Sequence, residues 1–135
     1  MGEHILKKII AEKKIENIEV RSAGIDGNSE YRIYGYLAEL MAEKGIDFSK
    51  HISTKITGKH LIDYDLIIVM ERLQKKYISH RYPWAMEKVR MLKELTGEGS
   101  VDVPDPMGRA DEAYKLVFDE INACVNKIAA EILKQ

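Results

Sequence analysis

The apolar and polar positions of this chain change period several times, and each change marks a new element. Residues 2–14 place Ile5, Leu6, Ile9 and Ile10 at i, i+1, i+4 and i+5 with lysines and glutamates opposite, the stripe of an amphipathic helix. Residues 18–21 alternate apolar and polar and run into Ser22-Ala23-Gly24, which predicts a strand ending in a small-residue turn. A second helix is expected over 30–44, with Ser29 as N-cap, Ile33, Leu37, Leu40 and Met41 as its buried stripe and Gly45 as its stop. Tyr31, Tyr34 and Tyr36 fall on different faces of that helix, so they read as surface and edge rather than as a binding box.

A polar connection over 46–58 carries His51. Residues 65–70, Asp-Leu-Ile-Ile-Val-Met, form a continuous apolar run of strand length, the pattern of a strand covered on both faces in a parallel sheet. A short polar helix over 71–81, a break at Tyr82-Pro83-Trp84 and a second short strand over 88–92 follow. The chain closes on a helix over 109–134 whose apolar stripe is read as Leu116, Val117, Ile121, Cys124, Val125, Ile128 and Ile132. Strands alternating with helices imply an α/β layer fold with a small parallel sheet flanked by helices. Ligands of such folds bind beyond the carboxyl ends of the strands, where Ser22 to Gly24 and the loop after residue 100 could share one crevice.

Composition adjusts this picture in three ways. At 135 residues, 45% hydrophobic and 32% charged, the chain is expected to form one globular domain over 1–135. A net charge of −1 gives no electrostatic footprint for nucleic acid or an anionic membrane surface. The apolar runs are too short for a bilayer span and the first residues are not a signal peptide, so a cytoplasmic protein is expected. The single cysteine, Cys124, excludes an internal disulfide and any multi-cysteine metal site. Its place in the middle of a helical stripe, with neither a neighbouring histidine nor a glycine-rich loop, reads as a buried core thiol rather than a nucleophile.

The irregular stretch over 101–108, Val-Asp-Val-Pro-Asp-Pro-Met-Gly, is where chemistry is most legible. Each proline fixes its own φ and keeps the preceding residue out of the helical region, so 103–106 is a stiff, extended loop presenting Asp105. A carboxyl held within reach of a leaving oxygen can act as a general acid, although the same tripeptide is also ordinary turn punctuation with a solvated Asp105. His51, with Ser49, Ser53 and Thr54 around it, is either solvated or brought near that loop, and the connection alone does not decide between them.

In series, Val20-Arg21-Ser22-Ala23-Gly24, Gly45-Ile46-Asp47 with His51, Asp65 to Met70, Lys88-Val89-Arg90 and Val103-Pro104-Asp105-Pro106 resemble the low-molecular-weight protein-tyrosine phosphatase family, which includes thioredoxin-coupled arsenate reductases. The resemblance runs the length of the chain. It implies phosphotyrosine or aryl phosphomonoester hydrolysis through a phosphocysteine intermediate, with Asp105 as general acid, no cofactor and no metal. Ser22 and His51 are implied as supports of the site, and the substrate would be a phosphotyrosine protein or a small aryl phosphate. Members commonly carry an aromatic residue after Asp-Pro; Met107 stands there, an apolar wall that cannot stack as a ring does.

The family opens with a strand leading into Cys-x5-Arg-Ser/Thr, and these 135 residues contain no such loop: six positions after Cys124 stands Ala130. The expectation is therefore an N-terminally shortened member, beginning at Met1 just after the phosphate loop and lacking the usual first central strand. A low-pKa thiolate and a preorganised anion site at a helix N-terminus are then missing, and no cysteine-dependent turnover is expected. Two inward sheet edges would stand unpaired, to be closed by direct pairing, a shifted strand or a homodimer. The alternatives are a noncatalytic interaction or dimerisation module and, third, an arsenate reductase, for which one cysteine is too few.

Overall fold

The computed structural model describes residues 2–25, 35–46, 54–99, 101–106 and 110–132. Helices α1 (Gly2–Glu12), α2 (Gly35–Glu43) and α3 (Gly58–Asp63) precede strand β1 (Ile67–Val69), which is followed by α4 (Arg72–Arg81), a 3-10 turn (Pro83–Lys88), strand β2 (Val89–Met91), α5 (Leu92–Leu95) and α6 (Asp111–Ile132). β1 and β2 pair in parallel with Ile67 opposite Val89 and Val69 opposite Met91, and α4 is the crossover between them. No helix among the described residues is long and apolar enough to cross a membrane.

The unbroken apolar run at β1 has the explanation its composition suggests. Val69, with Ile67 packed beside it, faces a core of Leu61, Ile78, Ala85, Val89 and Met91, while Ile68 and Met70 pack against the core built by α1, α2 and α6. Successive residues point to opposite faces, so a strand roofed on both sides needs no polar alternation.

α6 is the longest element and the hub of the larger core. Asp111 and Glu112 place negative charge in its first turn, favourable to the helix dipole. Tyr114, Val117, Phe118, Ile121, Cys124, Val125, Ile128 and Ala129 form its buried stripe, against which α1, α2 and α5 pack. Leu116 does not belong to that stripe and is 69% exposed. At roughly 100° per residue it points about 200° away from Phe118, so its apolar side chain faces out, contrary to its expected place in the buried stripe. The side chain of Ile132 lies outside the described residues.

α2 ends as its sequence predicts. Gly45 adopts φ +76°, its N–H donates to Ala42 O and that of Ile46 to Met41 O, and Ile46 is buried against the helix it closes. This is a Schellman termination, which requires the left-handed conformation that glycine takes without a Cβ penalty. The proposed Ser29 cap, Ile33, Tyr31 and Tyr34 lie outside the described residues; Tyr36 is partly buried at the core edge.

Three elements were not evident in the sequence. α3 sits at the end of the stretch read as a polar connection, capped by Thr57, whose hydroxyl accepts from the His60 N–H while the His60 ring accepts from the Thr57 N–H. At its other end, Lys88 Nζ donates to the carbonyls of Leu61 at 2.8 Å, Ile62 at 3.2 Å and Tyr64 at 3.1 Å. The cation satisfies carbonyls that the helix leaves unpaired. The 3-10 turn and α5 are each short enough that hydrophobic periodicity cannot mark them. α5 carries Lys93, buried and tied to Glu120 of α6 at 2.5 Å.

Residues 18–21 differ from the expected strand in one respect. Among the described residues no backbone hydrogen bond joins 18–23 to another segment. Only Gly24 is paired, through a parallel bridge with Lys55 in which Gly24 N–H donates to Thr54 O and Ile56 N–H to Gly24 O. A strand needs a ladder on at least one edge, and here that edge faces an opening rather than a partner. Direct pairing between 18–21 and β1, one of the expected ways of closing the sheet, does not occur.

Candidate active site

The carboxyl end of β1 is the point on which the site residues converge. Gln74, one turn into α4, turns its side-chain oxygen back to accept from the N–H groups of Met70 at 2.8 Å and Glu71 at 3.2 Å. The strand end is thereby fixed against the helix that follows it. The loop expected to hold the general acid is tied to the same place: Val103 N–H donates to Met70 O at 2.8 Å, and the Val103 side chain is buried in the core. Asp105 follows two residues later and is exposed.

Asp102 supplies the second anchor. Its Oδ1 accepts from the Arg72 backbone N–H at 2.8 Å and from Arg72 Nε at 3.3 Å. The first contact caps an unpaired donor at the start of α4, and the second adds an ion pair that exposure keeps weak. The Arg72 N–H is the principal reason the Asp102 carboxyl lies below its ordinary value of 3.8. A depressed carboxyl contributes above its ordinary pKa and loses that contribution as the pH falls through its lowered value, so this anchor releases only in strongly acidic solution, below 3.8. Asp102→Ala is expected to speed amide exchange at Arg72 and over 101–106 by about fivefold, the scale of a lost helix cap, while α6 is unaffected. Unchanged exchange in the loop would show that Val103 alone holds it.

Ser22 and α1 meet at the same end of the sheet. The Ser22 hydroxyl donates to Glu3 Oε1, and Glu3 also accepts from Lys7 Nζ at 2.6 Å. Burial pushes the Glu3 carboxyl up, but the hydrogen bonds from Lys7 and Ser22 outweigh it and leave the group below its ordinary value. Ser22 is thus engaged by the first turn of α1. A Cβ at Gly2 would stand 3.3 Å from Met70 Cε, so that same turn also abuts the end of β1.

Between these elements lies a cavity of about 630 Å³. Residues 20–24 line one side and Ile67 to Met70 the other, with Leu6 and Val125 above and Ile56 and Ile78 below. The sequence predicts a crevice shared by Ser22 to Gly24 and the loop carrying Asp105; the cavity is instead lined by 20–24 and the end of β1, with none of 101–106 among its lining residues. Among the described residues that line it Asp105 is not one; its loop is attached at the rim through Met70. His51 and Met107, also expected near the site, lie outside the described residues, as do Ser49 and Ser53; Thr54 lines the cavity. Among the described residues no group of three or more His, Cys, Asp or Glu could hold a metal ion.

Sequence reasoning missed Asp102, Arg72, Gln74 and Glu3. An N-cap is normally sought just before its helix, but Asp102 lies 30 residues beyond the donor it caps, so no local pattern could reveal it.

Cys124 is where the sequence put it, on the buried face of α6, 5% exposed. Burial pushes its thiol up, the opposite of what a nucleophile requires. A thiol reagent is expected to label Cys124 in the native chain at least about a hundredfold more slowly than in denaturant, because access requires opening of the core. Rapid stoichiometric labelling of the native chain would contradict its burial.

The chain is an α/β protein that brings the 101–106 loop, Ser22 and the first turn of α1 to the carboxyl end of a parallel strand, the end beyond which ligands of such folds bind. More particularly, the chain belongs to the low molecular weight phosphotyrosine protein phosphatase family, whose model matches residues 1–135. It is 31% identical over 134 residues to the low molecular weight protein-tyrosine-phosphatase Ptp of Acinetobacter johnsonii, covering 99% of this chain and 86% of that one. It is 30% identical over 129 residues to a protein-arginine-phosphatase of Bacillus subtilis, covering 96% and 85%. Its fold superimposes with a TM-score of 0.91 on the arginine phosphatase YwlE, a cysteine-to-serine mutant with a phosphorylated active site serine, at 28% identity over 99% of this chain and 87% of that one.

Proposed function

We propose that this chain provides the fold and the acid half of a phosphatase site, with Asp105 as the general acid that protonates the leaving group and then activates water. The observation that carries the reading is the double anchoring of the 101–106 loop at the end of β1, through Val103 N–H to Met70 O and Asp102 to Arg72. A general acid gains from being held in place before the substrate arrives, and these contacts fix the backbone on the N-terminal side of the Asp105 carboxyl. The phosphorylated serine of the YwlE mutant supports a covalent phosphoenzyme as the parent chemistry.

Two observations support reading the polypeptide by itself as lacking the cysteine nucleophile: its 135 residues contain no Cys-x5-Arg, and burial pushes the Cys124 thiol up. The polypeptide is expected to show no vanadate-sensitive turnover of an aryl phosphate. The decisive experiment compares it with the same chain extended at its N-terminus by an apolar strand and a Cys-x5-Arg segment. Turnover that appears only in the extended chain supports the assignment. Turnover by the 135-residue polypeptide would overturn its inactivity, and a folded extended chain that remains inert would favour a noncatalytic interaction module, the second reading.

The substrate class is open to the same assay. Tyrosine and arginine phosphatases match this chain about equally well, at 31% and 30% identity. Met107 in place of a ring removes one means of stacking on a phenol, so phosphoarginine is to be assayed beside the aryl phosphate.

A further inference from the structure

β1 outruns its partner strand, and one side chain takes over where the ladder stops. The last rung pairs Val69 with Met91, and the chain turns into α5 at Leu92, so the N–H groups of Met70 and Glu71 lie past the end of the ladder. Both donate to Gln74 Oε1, at 2.8 Å and 3.2 Å. A glutamine at the third position of a helix ordinarily reaches back only to the N-cap N–H, here that of Glu71. The shorter of these two bonds goes instead to Met70, in the strand end before the helix.

The two N–H groups belong to the peptides on either side of Met70, so a single oxygen fixes the orientation of both. The second of these peptides also carries the Met70 carbonyl, which accepts from Val103 N–H at 2.8 Å. In a trans peptide the N–H and C=O point opposite ways, so holding one in place aims the other. We propose that Gln74 is a positioning residue for the general acid, acting through the Met70–Glu71 peptide on Val103 and so on Asp105. The inference rests on the reading of Asp105 as that acid. Val103 is 2% exposed, and at so dry a contact the polarisation of one peptide by hydrogen bonds at both ends strengthens each of them. The turn that carries Gln74 is itself fastened: Lys75 Nζ meets Glu94 Oε1 at 3.0 Å, and the same oxygen accepts from Met91 N–H at 3.4 Å, tying α4 to the end of β2. The loop's other tie, from Asp102 to Arg72, runs to the first residue of that turn.

The test replaces Gln74 by leucine, which keeps bulk and removes the acceptor, and by glutamate, which keeps the acceptor. In the 135-residue chain, Gln74→Leu is expected to speed amide exchange at Val103 about tenfold while α6 is unaffected, and Gln74→Glu to restore the parent rate to within about twofold. In the chain extended by a Cys-x5-Arg segment, Gln74→Leu is expected to lower kcat toward phenyl phosphate about tenfold at unchanged KM, and toward a nitrophenyl phosphate by no more than about twofold. Added to Asp105→Asn it should cost nothing further, because a residue that acts only through the acid has no effect once the acid is gone. If leucine prevents folding, Gln74→Ala, which adds no bulk, reads the same quantities. Unchanged exchange at Val103, equal losses on the two substrates, or a further loss on top of Asp105→Asn would reduce Gln74 to a helix cap and overturn the proposal. A loss in Asp105→Asn with none in Gln74→Leu would remove Gln74 alone, whereas an inert extended chain, or one indifferent to Asp105→Asn, would overturn the acid reading and this inference with it.

Discussion

Asp105→Asn, introduced into the chain extended by a Cys-x5-Arg segment, is expected to lower kcat toward phenyl phosphate by about 10²- to 10⁴-fold, the range that general acid catalysis contributes. Phenolate is a poor leaving group at neutral pH, and a proton delivered as the P–O bond breaks removes the charge that would otherwise develop on oxygen. Asparagine keeps the shape of the side chain and its hydrogen bonding but cannot supply that proton. A nitrophenyl phosphate, whose leaving oxygen carries its charge more readily, should suffer distinctly less, and this difference separates lost acid catalysis from lost binding. A uniform drop on both substrates would place the loss in the water-activating step that they share or in a positional defect, and not in protonation of the leaving group. Unchanged turnover of phenyl phosphate would remove Asp105 from the mechanism altogether.

The parts of this fold that the sequence makes legible are those in which one element settles its own environment. The run over 65–70 reads as a strand with two covered faces, and Ile67 and Val69 pack to one side while Ile68 packs to the other. Gly45 reads as a helix stop and provides one through a positive φ. Cys124 reads as core from its place in the α6 stripe and is buried there. What is not legible depends on a partner elsewhere. Residues 18–21 carry the alternation of a strand, but alternation reports side-chain environment and is silent on whether a ladder partner exists. Leu116 is apolar and adjacent to a buried position, and only the angular position set by its neighbours on α6 shows that it points outward. In the site, the Pro-Asp-Pro stiffness was visible locally, whereas its tether to α4 through Asp102 became visible only once residues 30 positions apart were brought together.

Phe118→Ala is expected to cost about 3–5 kcal/mol of folding stability, read from denaturant unfolding. Phe118 is 1% exposed and sits midway along α6, in the cluster that joins Ile5 and Ile9 of α1, Leu40 and Met41 of α2 and Leu92 of α5. Removing the ring loses its transfer free energy and leaves a void that helices from three other parts of the chain must collapse together to fill. A domain of ordinary stability holds about 5–15 kcal/mol in all, so this one substitution takes a large share of it. Leu116→Ala, two residues away at a position 69% exposed, should change stability by no more than about 0.5 kcal/mol, and the contrast fixes the orientation of the helix. The consequence reaches the site, because α6 carries α1, and the first turn of α1 holds Ser22 through Glu3 and abuts Met70. In Phe118→Ala, exchange should therefore be accelerated more for amides of α1 and the end of β1 than for those of α3 and the 3-10 turn, which pack in the separate core around Leu61 and Ala85. Equal acceleration in both regions would mean that the two cores open as one, and a loss below about 1 kcal/mol would show that Phe118 is not at the centre of the larger one.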